Sequence, residues 1–232
     1  MIEDRLPGVE RGFELDHVFV CTKLDAPEGA QLVSIGLTEG RSGVHQGQGT
    51  ANRCFLFHNA YLELIWVHAR EEACSPITER TRLFERWKDR ANGACPFGIC
   101  LRPARPSAGS DLPFGAWDYL PGYVAATNPI RIGTNSDRLS EPMLFFIASA
   151  SRPDTWPRHP PLHHRLGVRE ITHLRWTRPN DDPLSPELQA VVDIGCLSVE
   201  SGSAHALEIC FDDEAGKQGA SLMPDLPVTL QW

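Results

Sequence analysis

The chain has 232 residues, a formal net charge of −8 at pH 7 and seven cysteines. This length is enough for one large or two small domains with a sizeable core. The acidic balance excludes the basic surface that attracts nucleic acid or an anionic membrane, so we expect neither as a partner. No apolar run approaches the ~18 residues of a membrane helix, and residues 1–16 contain no signal segment. We therefore expect a cytoplasmic protein with buried, reduced thiols.

The first seventy residues show a β-α-β-β order of secondary structure. β-Branched and aromatic residues mark the strands, and Gly36 marks the end of the helix. The predicted elements are, in order, a strand over 14–22, a helix over 25–37, a glycine-rich loop over 39–49 and strands over 50–57 and 60–67, with room for a short strand near 41–44.

The middle of the chain is less regular. Residues 81–90 have helical spacing, and residues 95–103 and 141–150 are apolar enough to form strands. Proline, glycine and asparagine are frequent between 104 and 137. A proline-rich connector follows over 151–165, and the pattern predicts that its adjacent histidines, His163 and His164, belong to a surface linker.

The last part of the chain repeats the order of the first. A strand over 169–177 precedes a helix over 182–196, for which Ser185 is the predicted N-cap and Pro186 lies in the first turn. Strands over 203–211 and 226–232 follow. The leading strands "DHVFVCT" and "THLRWT" place His17 and His173 at the same point. This repetition predicts modules that pack with pseudo-symmetry.

One carboxylate interrupts the apolar strand "YLELIWV". Glu63 shares a face with Tyr61, Ile65 and Val67, where a charged group is costly to bury unless it is paired or coordinated. Three explanations remain open: an exposed face, a salt bridge to Arg53, or a functional site in a cleft.

Seven segments in this order make the chain similar to the glyoxalase-like members of the vicinal oxygen chelate superfamily. They are "LDHVFV", "HQGQGTANR", "YLELIWV", "TRLFERW", "PFGICLRP", "REIT" and "LPVTLQW". The resemblance implies an α+β fold of tandem βαβββ modules that form a curved mixed β-sheet around a cleft. The modules would span 1–70, 71–165 and 166–232, with the middle segment degenerate and the helices on the convex face.

The resemblance also implies a metal site. In metal-using members, a first-strand histidine and a last-strand glutamate of two modules bind one divalent ion. His17, Glu63 and His173 match such positions, and Zn, Ni, Mn or Fe suits these donors. Gln231 stands at the fourth position, with Glu208 one strand earlier as the alternative; the middle segment offers Gly98 where a histidine would stand, and no carboxylate.

The substrate would then be a small molecule with vicinal oxygens. Glu63 would serve as the catalytic base, and Asn52 and Arg53 would orient an oxyanion over the cleft. His159, in an "HP" pair that the resemblance shares, is a further candidate for substrate binding. His45, in the glycine-rich loop, is expected to face solvent.

Two functional hypotheses follow. The first is a glyoxalase-like enzyme of the lyase, isomerase or dioxygenase type, assisted by a divalent metal. The second is a metal-free protein of the same fold that binds or sequesters a small molecule; Gly98 and Gln231 favour it. A structural role is a third possibility, in which Trp117 and Tyr119 would form the surface of a homodimer. No nucleophile elbow or dinucleotide fingerprint occurs.

Overall fold

The computed structural model describes residues 12–105 and 112–232. The acidic residues 1–11, which fall in the segment predicted to carry no signal sequence, lie outside the described part. The fold is α+β with mixed sheets and few helices, as the sequence predicts. None of the described helices is long and apolar enough to cross a membrane.

Among the described residues, eight strands from the first and middle parts of the chain form one sheet. They are β1 (Phe13–Cys21), β2 (Ser42–His45), β3 (Thr50–Leu56), β4 (Tyr61–Val67), β5 (Phe97–Pro103), β6 (Ala116–Tyr119), β7 (Ile130–Gly133) and β8 (Met143–Phe146). Their order in the sheet is β2-β3-β4-β1-β5-β8-β7-β6. The strand predicted near residues 41–44 is β2.

The two halves of this sheet have the same topology. β1 runs parallel to β4, β5 runs parallel to β8, and β1 pairs with β5 in the antiparallel sense. The first module therefore pairs with the middle segment. The middle segment is degenerate because no helix lies between β5 and β6 in the part that the structure describes.

A second sheet contains the last module. Its strands are β9 (Ile171–Arg178), β10 (Leu197–Ser201), β11 (Ala206–Phe211), β12 (Gly219–Ser221) and β13 (Val228–Gln231), in the order β10-β9-β11-β13-β12. The sequence does not predict β10, whose polar residues hide the strand pattern. Because β10 occupies the parallel position beside β9, the final strand β13 pairs with β11 instead.

In the described part of the chain, four α-helices connect the strands: α1 (Gly29–Ile35), α2 (Arg70–Ala73), α3 (Leu83–Lys88) and α4 (Pro186–Ile194). Gly36 ends α1 in the left-handed conformation with φ 113°. Ser185 caps α4, since its hydroxyl oxygen accepts the backbone N–H of Leu188 at 3.1 Å. Both helix boundaries confirm the sequence prediction.

The two sheets share one apolar core. Side chains such as Leu62, Phe97, Trp176 and Phe211 are fully buried in it, and each such residue stabilises the fold by about 1.5–3 kcal/mol. Asn59 joins the sheets at the edge of this core, because its amide donates to the carbonyl of Ile171 at 2.7 Å and accepts the N–H of the same residue at 2.9 Å.

Candidate functional site

A cavity of about 600 Å³ is lined by both halves of the first sheet. The two edges of the sheet approach each other across it. There, Gln48 Oε1 accepts hydrogen bonds from the hydroxyls of Tyr119 at 3.1 Å and Tyr123 at 2.8 Å. The sheet therefore curves around a cleft, as the sequence predicts. Tyr119 is only 2% exposed, so it does not form the external dimer surface that the sequence suggests.

Alternation along β3 decides which side chains enter the cavity. Asn52 lines it together with Ile65, its partner on β4. Arg53 is the next residue and therefore points to the other face of the sheet. There its Nε and Nη2 atoms donate to the Glu39 carboxylate at 2.7 and 2.6 Å. Contrary to the expectation from sequence, Arg53 does not reach the cavity.

His17 on β1 is held in one tautomer by Asp16. Its Nδ1 lies 2.7 Å from Asp16 Oδ2. A carboxylate oxygen only accepts, so in the neutral ring Nδ1 carries the proton and Nε2 does not. Arg102 Nη1 in turn donates to Asp16 Oδ1 at 3.1 Å. The pairing of β1 with β5 is irregular between Leu15 and His17, which re-aims the side chains of these neighbours.

Asp16 is a carboxylate despite its burial. Burial opposes ionisation, but the hydrogen bonds and the charges of His17 and Arg102 outweigh it and hold the pKa of Asp16 below its ordinary value. Asp16 therefore fixes the orientation and the tautomer of the His17 ring.

His45 places a second unprotonated nitrogen near Glu63. Its Nδ1 lies 2.9 Å from Thr50 Oγ1 and its Nε2 lies 3.3 Å from Asn52 Nδ2. An amide nitrogen only donates, so Nε2 accepts and Nδ1 carries the proton. Burial lowers the pKa of His45, which favours this neutral form. The expectation that His45 faces solvent is wrong, since the side chain lines the cavity and is 22% exposed.

Glu63 lies between the two histidines. Its Oε1 accepts from Asn52 Nδ2 at 2.6 Å and is 3.8 Å from His45 Nε2. Its Oε2 is 3.5 Å from His17 Nε2. Since neutral His17 has no proton on Nε2, two acceptor atoms face each other there, and a proton or a cation between them stabilises the pair. The carboxylate of Glu63 thus faces a site in the cleft, which was one of the three explanations open from sequence.

His17 and Glu63 have the spacing of two ligands of one divalent metal ion, whereas His45 Nε2 is 3.8 Å from the other oxygen of Glu63 and would have to give up the hydrogen bond from Asn52 to join them. Two ligand atoms that each lie about 2.1 Å from one ion in tetrahedral geometry are about 3.4 Å apart, and the separation of His17 Nε2 from Glu63 Oε2 is 3.5 Å. Two imidazoles and one carboxylate are suitable donors for Zn, Ni, Mn or Fe.

Two groups of three described residues have ligand atoms that all lie within 4.8 Å of one another, and His45 and Glu63 belong to neither. The first combines Asp16, His17 and Cys100, but burial raises the pKa of the Cys100 thiol well above its ordinary value, so no thiolate is available at neutral pH. The second combines Glu208, Cys210 and Glu214. Arg175 already forms ion pairs with both glutamates of this group.

The remaining candidates from sequence lie outside the cavity. His173 is in the second sheet, where its Nε2 is 2.9 Å from Ser198 Oγ. His159 is exposed in the connector and does not line the cavity. His164 is not part of a surface linker: it is 2% exposed and bonds the backbone of Thr38 and Leu56.

Register explains why the two halves of the cavity differ. Glu63 stands two residues beyond Tyr61, the partner of His17 on the parallel strand. In the middle segment, Met143 is the partner of Gly98, so Phe145 stands where a second glutamate would. A Cβ atom at Gly98 would lie 2.0 Å from Phe19 Cε1, so the position also has no room for a histidine.

In the second sheet, polar residues stand at the positions that correspond to this part of the first sheet: Arg175, Ser198, Glu208 and Gln231. Ser198 pairs with Arg175 on β9 in the same way that Glu63 pairs with Phe19 on β1. Ser198 is therefore the residue at the position equivalent to Glu63. Glu208 and Gln231, the residues considered as a fourth ligand, hydrogen-bond each other there at 3.1 Å. Neither lines the cavity that contains His17.

Comparisons with known proteins agree with this fold. Residues 15–111 match the family model described as "Glyoxalase-like domain". No protein of curated function matches the chain. A crystal structure of a hypothetical protein from Staphylococcus aureus is similar over 94% of this chain and 99% of that chain, with 12% sequence identity and a TM-score of 0.52. At this identity the likeness concerns the fold alone.

A hypothetical protein from Bacillus halodurans C-125 is similar over 60% of this chain and 96% of that chain, with 14% identity and a TM-score of 0.38. The family match covers β1 to β5, which contain His17, His45 and Glu63. Residues 15–111 are therefore similar to a glyoxalase-like domain of the vicinal oxygen chelate type.

Proposed function

We propose that this chain is a small-molecule enzyme of the lyase, isomerase or dioxygenase type, with a divalent metal held by His17, His45 and Glu63. The observation that carries the proposal is the 3.5 Å separation of His17 Nε2 from Glu63 Oε2, two acceptors that face each other in a cavity of small-molecule size. The substrate would present vicinal oxygens to this point.

A bound divalent ion would supply Lewis-acid polarisation of the substrate oxygens. The chain's own groups have separate tasks. Glu63 is the general base that accepts a proton from the substrate, and Asn52 keeps its carboxylate oriented through the 2.6 Å hydrogen bond to Oε1. Asp16 holds His17 in the tautomer that leaves Nε2 free. Phe145 packs edge-on against the His17 ring at 5.1 Å and excludes water from that side.

The identity of the metal would separate the reaction classes. Zn or Ni would favour proton transfer, as in a lyase or isomerase. Fe or Mn would favour a dioxygenase, because two histidines and one carboxylate with open positions are typical of iron oxygenases.

A metal-free binding protein is the second candidate. Gly98 and Phe145 support it, since they replace both ligand positions of the middle segment. In that case a protonated His17 would form an ion pair with Glu63. The cavity would then bind a small molecule without turnover.

Metal content separates the two candidates. Untagged protein, purified without chelator or nickel resin, is analysed by inductively coupled plasma mass spectrometry. We expect near-stoichiometric Zn, Ni, Mn or Fe in wild type, loss of the metal in H17Q and H45Q, and retention in H173Q, the matched control from the second sheet. A metal-free wild type that stays empty after reconstitution would contradict the enzyme proposal and favour the binding protein.

A further inference from the structure

We infer that the ligand of this cavity is a small amphipathic organic anion, whose charged group binds Arg41 and whose apolar body packs against β7 and β8. The inference rests on the proposed function because it concerns the same cavity, but it names the chemical class of the ligand.

Arg41 is a cation that the fold leaves available at the cavity. It immediately precedes β2, lines the cavity and is exposed. Among the residues that the structure describes, no carboxylate lies within ion-pair distance of its guanidinium. Arg53 and Arg102, by contrast, are both paired with glutamates. Arg41 therefore has hydrogen-bonding capacity that no acidic side chain of the described chain uses.

Two aromatic rings orient this guanidinium. Its central carbon lies 4.8 Å from the ring centroid of Trp156 and 5.8 Å from that of Tyr61. Contact with two rings restricts the guanidinium. Its N–H groups that do not interact with the Cys54 thiol can bind a carboxylate in a bidentate manner. Tyr61 also stacks on His17 at 4.3 Å, so the anion site adjoins the proposed reaction centre.

The overall charge makes this arrangement selective. The chain carries a net charge of −8, which disfavours the approach of anions to most of its surface. A cationic side chain at the cavity compensates locally, and Glu63 deeper in the cavity repels an anion that would bind there instead. The charged end of the ligand is therefore fixed at Arg41.

The part of the cavity wall formed by β7, β8 and the residue that follows β8 is apolar. The middle segment contributes five large hydrophobic side chains to it: Ile130, Ile132, Met143, Phe145 and Ile147. None of them offers a hydrogen bond, so a second charge on the ligand would lose its hydration there without compensation. An aromatic or branched hydrocarbon body is favoured, because its burial contributes about 25 cal/mol for each Å² removed from water.

Isothermal titration calorimetry with matched probes tests the inference. Phenylacetate, 3-phenylpropanoate and 4-phenylbutanoate are each compared with their primary amides, and acetate serves as an anion without an apolar body. We expect at least one of the three acids to bind about tenfold or more tightly than its amide, a difference of about 1.4 kcal/mol, and acetate to bind more weakly than every phenylalkanoate.

Two variants locate the source of the preference. R41Q should bind acid and amide alike. R80Q is the matched control, because Arg80 is also an exposed arginine over a tryptophan, 4.2 Å from the ring centroid of Trp117, and it does not line the cavity. R80Q should keep the wild-type preference.

Equal binding of acid and amide by wild type overturns the inference, as does failure of every probe to bind at millimolar concentration. Loss of the preference in R80Q to the same extent as in R41Q also overturns it. The metal content of the same preparations is an independent readout, so a protein that retains its metal but shows no preference for anions contradicts the ligand class alone.

Discussion

Asp16 Oδ2 accepts the Nδ1 proton of His17 at 2.7 Å, and this contact turns the free nitrogen of the ring towards Glu63. The pair links a buried ionic network to the cavity. Arg102, which is 1% exposed, holds Asp16 on one side and donates to the backbone carbonyl of Asn59 on the other. Because Asn59 also bonds Ile171 of the second sheet, the docking of the last module supports the orientation of His17.

Replacing Asp16 by asparagine should weaken metal binding without unfolding the protein. Loss of the carboxylate that orients a histidine ligand typically lowers metal affinity about 10–100-fold. The measurement is chelator competition, with circular dichroism as the check on folding. E14Q is the control, since Glu14 also accepts from Arg102 but does not contact His17. Equal losses of metal affinity in D16N and E14Q would show that Asp16 acts only through Arg102.

Replacing Gly98 by alanine should destabilise the fold. The new Cβ would lie 2.0 Å from Phe19 Cε1, and Phe19 is 3% exposed and has little room to move. Overpacking of this kind costs about 1–3 kcal/mol. Chemical denaturation measures the free energy of unfolding.

The control for that measurement is G43A, for which the nearest atom to the new Cβ lies at 3.6 Å. We expect the stability of G43A to stay close to that of wild type. A G98A variant as stable as G43A would mean that Phe19 yields easily and that this half of the cavity has room for another side chain.

Replacing Arg53 by glutamine should affect stability rather than the site. Its ion pair with Glu39 is partly exposed, with side-chain exposures of 21% and 31%, so its loss costs at most about 1 kcal/mol. The metal affinity of R53Q should stay within about twofold of the wild-type value. The variant N52A, changed one residue away, should bind metal more weakly because Glu63 Oε1 loses its hydrogen-bond donor. Metal affinity that falls equally in both variants would contradict the assignment of these residues to opposite faces of β3.

The contrast between Asn52 and Arg53 shows which features of the site sequence alone can predict. The strand order and the pairing of His17 with Glu63 follow from local patterns and from the resemblance. The alternation of β3 already requires Asn52 and Arg53 to face opposite sides. The contribution of His45, by contrast, depends on the register of β2 with β3, which no local pattern fixes.

The position of His173 depends on contacts between segments that are far apart in the sequence. Whether the first module pairs with the middle segment or with the last is decided by packing between distant segments. The strand β10, which the sequence does not reveal, places Ser198 rather than Gln231 at the position equivalent to Glu63. Asp16 was missed because it lies next to His17 in a strand, where alternation normally separates neighbours and only the irregular pairing with β5 brings them together.

Stability should fall as the pH is lowered from 7.5 to 5.5, and His164 should account for part of this. Burial is the largest effect on His164 and lowers its pKa, although its hydrogen bond to the Leu56 carbonyl opposes this. The unfolded chain therefore binds a proton near pH 6.5 that the folded chain takes up only at lower pH. Unfolding is favoured by about 1.4 kcal/mol per pH unit for each such proton.

Denaturation at several pH values measures this dependence in wild type and in H164Q. Glutamine can still accept the N–H of Thr38 and donate to Leu56, but it does not titrate. The slope of stability against pH should be smaller in H164Q and unchanged in H163Q, the control at the exposed neighbour. An H164Q variant with the full wild-type slope would assign the effect to other groups.

The most direct measurement is anomalous diffraction from crystals of the full chain soaked separately in ZnCl₂ and MnCl₂. The proposed function predicts one dominant peak within metal-ligand distance of His17 Nε2, His45 Nε2 and a carboxylate oxygen of Glu63. A dominant peak at Glu208, Cys210 and Glu214, or no peak with either metal, would contradict it. In either case His17 and Glu63 would be a proton-sharing pair of a metal-free cavity.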